Sequence, residues 1–171
     1  MNFTNSCDSA FDSVDIRFTK YCDNACPFCI EKNGLPGFLM DVVRMAESTI
    51  GTNIKDVLVL GGEPFLYPQK LAEYIRLIRK SVSTIYVTTS LPKILENEQS
   101  WNILQDIDGL NVSIQSCDWK ENNRILNASN DFDRLELLRK LNEKFGEKIR
   151  TSINLVKGGV DTKEKLLKTL S

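Results

Sequence analysis

Residues 56–64 read Asp56-Val57-Leu58-Val59-Leu60-Gly61-Gly62-Glu63-Pro64, and the order of residue types in that stretch decides the fold class. Val57 to Leu60 run without a polar interruption, as in a parallel strand covered on both faces rather than a half-exposed antiparallel one. Two glycines then permit positive φ and close backbone approach, and the proline ends the segment stiffly. Downstream, Pro68 stands at the first turn of a helix whose Leu71, Tyr74, Ile75 and Ile78 recur on one face. Strand, tight turn and amphipathic helix make one βα unit.

The same unit recurs on either side. Residues 14–19, 84–88, 110–115 and 150–156 read as strands. Leu39, Val42, Val43 and Ala46 repeat at helical spacing with Gly51 as a stop, residues 95–106 form a helix anchored by Trp101 and Leu104, and Leu135, Leu138, Leu141 and Phe145 lead to a stop at Gly146. A last helix takes Asp161 as N-cap with Glu164 three residues on, a capping-box arrangement. Five βα repetitions call for an α/β fold, a parallel sheet with right-handed crossovers, open or curved into part of a barrel. Strand starts near 14, 56, 84, 109 and 150 are too uneven for a sequence repeat, and no linker interrupts them. Residues 1–13 therefore read as an N-terminal leader and 14–171 as one core domain, with functional groups expected at the C-terminal strand ends.

The chain has 171 residues, 42% hydrophobic and 26% charged, a globular mix that excludes a disordered tail or a collagen-like repeat. A chain of this size buries roughly two-thirds of its unfolded surface and needs no metal to fold, so a metal here is expected to be functional. Lys and Arg number 22 against 23 acidic residues, a balance that gives no reason to expect nucleic acid as a partner. Histidine is absent, which removes the usual neutral-pH general base and every triad that uses it. No run approaches the roughly 18 apolar residues of a membrane span, and the first residues resemble no signal peptide. Five cysteines, an odd number with three of them clustered, do not form a secreted disulfide framework, so a reducing cytoplasm is the expected location.

The cluster is Cys22-Asp23-Asn24-Ala25-Cys26-Pro27-Phe28-Cys29, a Cys-x3-Cys-x2-Cys directly after the first strand. Three thiolates on one loop suit soft metal centres. Three readings compete: a structural zinc site completed by Cys7 or Cys117, a dithiol redox pair at Cys26 and Cys29, and a four-iron, four-sulfur cluster with one iron left open. Structural zinc normally takes four protein ligands, and no second Cys-x2-Cys is present.

Cys-x3-Cys-x-aromatic-Cys after the first strand, followed by Gly61-Gly62-Glu63-Pro64 after the second, resembles the radical S-adenosylmethionine (radical SAM) superfamily. The resemblance implies a partial (βα)5-6 barrel that lacks the sixth βα unit, and a short or truncated member of the family. It implies that Cys22, Cys26 and Cys29 hold a 4Fe-4S cluster, that SAM chelates the open iron, that Phe28 lies against the adenine, and that the Gly61-Gly62-Glu63-Pro64 backbone binds the SAM amino group. Val87-Thr88-Thr89-Ser90 is similar to the Thr-Thr-Asn of the branch containing the molybdenum-cofactor GTP cyclase and the peptide maturases, with Ser90 and Leu91 standing where that branch has Asn-Gly. Thr88, Ser113 at the end of the fourth strand and Asn154 at the end of the fifth are the further SAM contacts so implied, Ser113 being preferred to Gln115. No catalytic residue is expected beyond the cluster ligands.

By resemblance the reaction is one-electron reduction of SAM, release of a 5'-deoxyadenosyl radical and hydrogen abstraction from a peptide, protein or small-molecule substrate. A flavodoxin- or ferredoxin-like electron donor is the expected partner. The rival from another class is a non-catalytic iron-sulfur or zinc-binding module. Arg17 reads as a surface ion pair in preference to a group pointing into the barrel, the basic residues of the helices as solvated faces, Cys7 and Cys117 as buried or free thiols, and Cys117-Asp118-Trp119-Lys120 as a candidate lining of the substrate mouth.

Overall fold

The computed structural model describes residues 11–30, 41–155, 157 and 159–170. Five strands, β1 (Ser13–Thr19), β2 (Asp56–Gly61), β3 (Thr84–Thr89), β4 (Gly109–Ser113) and β5 (Ile149–Ser152), lie side by side in chain order. Every neighbouring pair is parallel. Among the described residues five α-helices connect or follow them: α1 (Val42–Glu47), α2 (Pro68–Ile78), α3 (Trp119–Leu126), α4 (Arg134–Phe145) and α5 (Lys163–Leu170). Among the described residues the sheet does not close on itself, and the architecture is a partial (βα) barrel.

Alternation along the strands separates two faces. Phe18, Val57, Val59, Ile85, Val87, Leu110 and Val112 are buried with Leu71, Tyr74, Ile75, Ile78, Leu104 and Leu141 in one core. Each such side chain contributes roughly 1.5–3 kcal/mol by leaving water. The opposite face is open, and Leu58 and Leu60 are only half-buried there, so the aliphatic run of β2 is fully covered on one side rather than both. That face carries a hollow of 430 Å³ with Asp15, Leu58, Tyr86, Asn111 and Arg150 on its wall. Gly109 is required at its edge, because a Cβ there would stand 2.2 Å from the Tyr86 ring.

Several elements differ from the sequence expectation. Residues 95–106 are not an α-helix but part of two 3-10 stretches, Lys93–Glu96 and Glu98–Gln105; Asn97 separates them and caps the second by accepting the Gln99 N–H at 3.0 Å. The β4–β5 crossover holds two helices instead of one. Asp118 caps the additional α3 by accepting the Glu121 N–H at 3.0 Å. β4 stops at Ser113 and β5 at Ser152, shorter than expected, because side chains take over the ladder: Gln115 N–H donates to Asn122 Oδ1 at 2.7 Å, and Asn154 N–H to Gln115 Oε1 at 3.0 Å. The cap of α5 is Thr162, whose Oγ1 accepts the Lys165 N–H at 3.2 Å, while Asp161 forms an ion pair with Lys165 at 2.8 Å. Cys7, Leu39, Val156 and most of the expected leader lie outside the described residues. No helix among the described residues is long and apolar enough to cross a membrane.

Candidate functional site

The C-terminal ends of β1, β2 and β3 are drawn together by backbone. Gly61 has φ +133°, and a Cβ on it would stand 2.3 Å from the Thr19 carbonyl oxygen. A Cβ on Gly62 would stand 2.0 Å from the Tyr21 carbonyl oxygen. Only glycine admits this approach, through which Gly62 N–H donates to Thr19 O at 2.5 Å and Glu63 N–H to Tyr21 O at 2.8 Å. The glycine turn is thereby locked onto the strand end that launches the cysteine loop.

Glu63 makes the second tie. It is fully buried and caps the 3-10 turn Pro64–Leu66, its Oε1 accepting from Phe65 N–H at 3.2 Å and from Thr89 Oγ1 at 2.9 Å. Its Oε2 accepts from Ser90 N–H at 2.8 Å and from Ser90 Oγ at 2.9 Å. Burial pushes its carboxyl up to about 7, against the opposing pull of these four donors. Leu91, beyond Ser90, is buried at φ +59°, a left-handed conformation that explains why glycine suits this position in the branch the sequence resembles.

Ser90 Oγ also receives Asn24 Nδ2 at 2.7 Å, and Asn24 lies between the first two cysteines. From the other side the loop is held by the segment joining α3 to α4. Ala25 N–H donates to Asn127 O at 3.2 Å, Ser129 N–H donates to Asp23 O at 3.0 Å, and Asn24 forms an antiparallel bridge with Ala128. Asn127 permits the turn by adopting φ +47°. Arg134, the first residue of α4, is fully buried and reaches back to the same loop, its Nη2 donating to Asn24 Oδ1 at 3.4 Å.

The three thiols are free. Cys29 N–H donates to Cys26 O at 3.1 Å, folding the second half of the loop into a turn, and Asn24 N–H donates to the Cys22 sulfur at 3.4 Å. Cys22 is exposed as a residue, yet its thiol is enclosed enough for burial to push it up to about 12. Burial also raises Cys26, with Cys29 adding to the shift. Both thiols are therefore protonated without a metal, and a metal must displace their protons. No three Cys, Asp or Glu side chains among the described residues are gathered closely enough to hold a metal ion as they stand. The donor set fits a soft metal centre, and Asp23 Oδ1 and Arg134 Nε are buried beside it without a hydrogen-bond partner among the described residues.

The remaining expected contacts are more dispersed. Thr88 and Ser113 are half-buried, and by the alternation of their strands they belong to the open face. Ser113 Oγ and Ser152 Oγ are 3.5 Å apart, and Asn154 is exposed past β5. Phe28 is half-buried in the cysteine loop, and Pro64 is buried. Gln115 is fully buried and ties β4 to the segment after β5. Cys117 is exposed and free.

Sequence reasoning sets no expectation for Asn24, and Arg134, expected on a solvated helix face with the other basic helix residues, is instead fully buried. One signal marked Arg134: a cation in the first turn of a helix opposes the helix dipole, so its charge is used elsewhere. The same reading overlooked Lys148, whose Nζ donates to the carbonyls of Leu104, Gln105 and Ile107 at 2.7–3.1 Å.

The model of the radical SAM superfamily matches residues 16–171. The chain belongs to the radical SAM superfamily. A GTP 3',8-cyclase of Lactiplantibacillus plantarum is 26% identical over 168 residues, covering 91% of this chain and 49% of the cyclase. Among solved structures, Streptococcus suis SuiB bound to S-adenosylmethionine superposes with a TM-score of 0.70 at 22% identity, over 93% of this chain and 37% of SuiB. Methylornithine synthase (PylB) superposes with a TM-score of 0.65 at 18% identity, over 92% of this chain and 48% of that enzyme. The chain thus spans about half the length of the curated relative it matches. The GTP 3',8-cyclase is a protein of the kind to which the strand-end motifs pointed, and the likeness to the two solved structures is one of fold.

Proposed function

We propose that this chain is the cofactor-binding core of a radical SAM enzyme, in which Cys22, Cys26 and Cys29 hold a 4Fe-4S cluster and the strand ends above the open face hold SAM. The observation that carries the reading is the convergence of a three-thiol loop and a Gly61-Gly62-Glu63-Pro64 turn, joined through the Thr19 and Tyr21 carbonyls, in a chain of this superfamily. When bound and reduced, the cluster supplies the electron that splits SAM into methionine and a 5'-deoxyadenosyl radical.

The chain's own residues bind and orient. The Gly62 and Glu63 N–H groups are already committed to the cysteine-loop strand, so what the turn offers an ammonium group is carbonyl oxygen. Glu63 spends its four accepted hydrogen bonds on the protein and sets the spacing between the ends of β2 and β3. Phe28, Thr88, Ser113 and Asn154 are the groups proposed to contact the adenine, ribose and carboxylate. The open face beside the C-terminal strand ends, with Arg17 exposed on β1, is the side proposed to receive the substrate. A peptide is one candidate class, since SuiB has been solved with the precursor peptide SuiA, and a small molecule is the other. A flavodoxin- or ferredoxin-like protein is the proposed electron donor, and the cytoplasm the proposed location.

Anaerobic reconstitution with iron and sulfide, followed by dithionite and SAM, tests the reading. The expected result is 5'-deoxyadenosine well above that of a Cys26→Ala control. Equal amounts from both would overturn it, and retention of zinc without iron uptake would point to a structural module.

A further inference from the structure

Arg134 carries a charge that no direct ion pair among the described residues balances. It is fully buried, and its guanidinium carbon lies 4.4 Å over the Phe132 ring. Its Nη1 donates to Asn123 Oδ1 at 2.6 Å and to the Asn130 carbonyl at 3.3 Å, and its Nη2 to Asn24 Oδ1 at 3.4 Å. All three acceptors are neutral, and Nε has no partner among the described residues. A buried cation without a directly paired counter-charge is costly, and a site at the first turn of a helix adds an unfavourable dipole. The anionic or ionisable groups close enough to act on it are Asp23, Glu63, Cys22 and Cys26, two of them cluster cysteines. Without a cluster only Asp23 and Glu63, neither in direct contact, act against this charge, and thiolates ligating a cluster would add to the compensation.

We propose that Arg134 is a positioning residue for the iron-sulfur cluster, fixing the cysteine loop through Asn24 and raising the cluster's reduction potential with its positive charge. The inference rests on the functional reading above and deepens it. Asn24 is held from both sides, by Arg134 at its Oδ1 and by Ser90 at its Nδ2, so one side chain ties the loop to α4 and, through Ser90, to Glu63. A fixed cation beside a redox centre favours the state with the extra electron, which is the direction a demanding one-electron donor must control.

The test compares the whole chain with its Arg134→Gln, Arg134→Lys and Asn24→Ala variants after anaerobic reconstitution. It reads bound iron and sulfide, the rate of cluster loss to a chelator, the midpoint potential by EPR-monitored titration, and the melting temperature of the metal-free protein. Arg134→Gln is expected to lower the midpoint potential and to lose its cluster about tenfold faster. Arg134→Lys is expected to recover most of the potential while keeping the faster loss, because one ammonium cannot reproduce the fork to Asn123, Asn130 and Asn24. Asn24→Ala is expected to lose its cluster faster with the potential unchanged. An Arg134→Gln protein with the parent's potential and retention overturns the inference, as does an equal shift in Arg134→Lys. If Arg134→Gln does not fold, parent-like retention in Asn24→Ala overturns the positioning role. A parent protein that takes up no cluster overturns the functional reading and this inference with it, whereas a parent cluster unaffected by these variants overturns the inference alone.

Discussion

At the C-terminal ends of the strands, Glu63 and Arg134 are fully buried and connected through Ser90 and Asn24, with Thr19, Thr89, Gln115 and Asn122 buried around them. At the N-terminal ends, the charged pair Arg79 and Asp108 meets at 2.5 Å with 31% and 39% of the side chains exposed, and Arg150 leans on Tyr86 at the surface. Asp108 accepts the Ile85 N–H and Arg79 donates to the carbonyls of Val82 and Ser83, so this end is tied by polar groups that keep contact with water. Burying polar groups costs folding energy unless every partner is in place. The fold accepts that cost where the proposed chemistry is and avoids it at the opposite end, the division expected of a βα barrel.

The contrast breaks most directly at Gly62. Gly62→Ala places a methyl group 2.0 Å from a backbone oxygen that cannot swing aside, so the glycine turn and the cysteine loop must separate. The expected cost is upward of about 3 kcal/mol, together with loss of cluster uptake. Urea denaturation of the metal-free protein and iron content after reconstitution check it; a variant of parent stability with a full cluster would show that the two segments are not held together this way.

Glu63 sharpens the contrast through pH. Its carboxyl sits at about 7 in the folded protein against an ordinary 4.5. Between those values the folded state keeps a proton that the unfolded chain has released. Its contribution to stability is therefore full below 4.5 and lost as pH rises through about 7, a span worth roughly 3 kcal/mol. The urea midpoint of the metal-free parent should fall between pH 5 and pH 8 by more than that of Glu63→Gln. Identical pH dependence in the two proteins would mean that the buried carboxyl does not titrate in this range.

How legible each part was follows from how local its cause is. The cysteine loop, the glycine turn and strands β1 to β3 could be read because each is set by neighbours a few residues away. The true ends of β4 and β5 could not, since the Gln115 and Asn122 side chains replace ladder bonds by contacts that exist only after folding. α3 was legible in principle, with Asp118 three residues before Glu121, but its pattern is short and no helix is expected there from the apolar spacing alone. Residues 95–106 carry helical periodicity, but Pro92 and Asn97 divide them into 3-10 stretches. The contact between Asn24 and Arg134 spans 110 residues, and only the misplaced cation at the start of α4 hinted at it.

Gly109 tests the other end of the sheet with the smallest expected effect. A Cβ there would stand 2.2 Å from the Tyr86 ring, and the ring is held by the Arg150 guanidinium at 4.6 Å and by an Arg150 Nη2 to Tyr86 Oη hydrogen bond of 2.9 Å. The ring must therefore move and the pair loosen. Gly109→Ala is expected to cost about 1–3 kcal/mol, the range of an added methyl in a packed site. Cluster uptake and the midpoint potential should stay at parent values, because the polar ties of the cysteine loop come from the opposite strand ends. A Gly109→Ala protein that lost its cluster in proportion to its stability would show that the two ends unfold as one unit and that their different construction carries no functional independence.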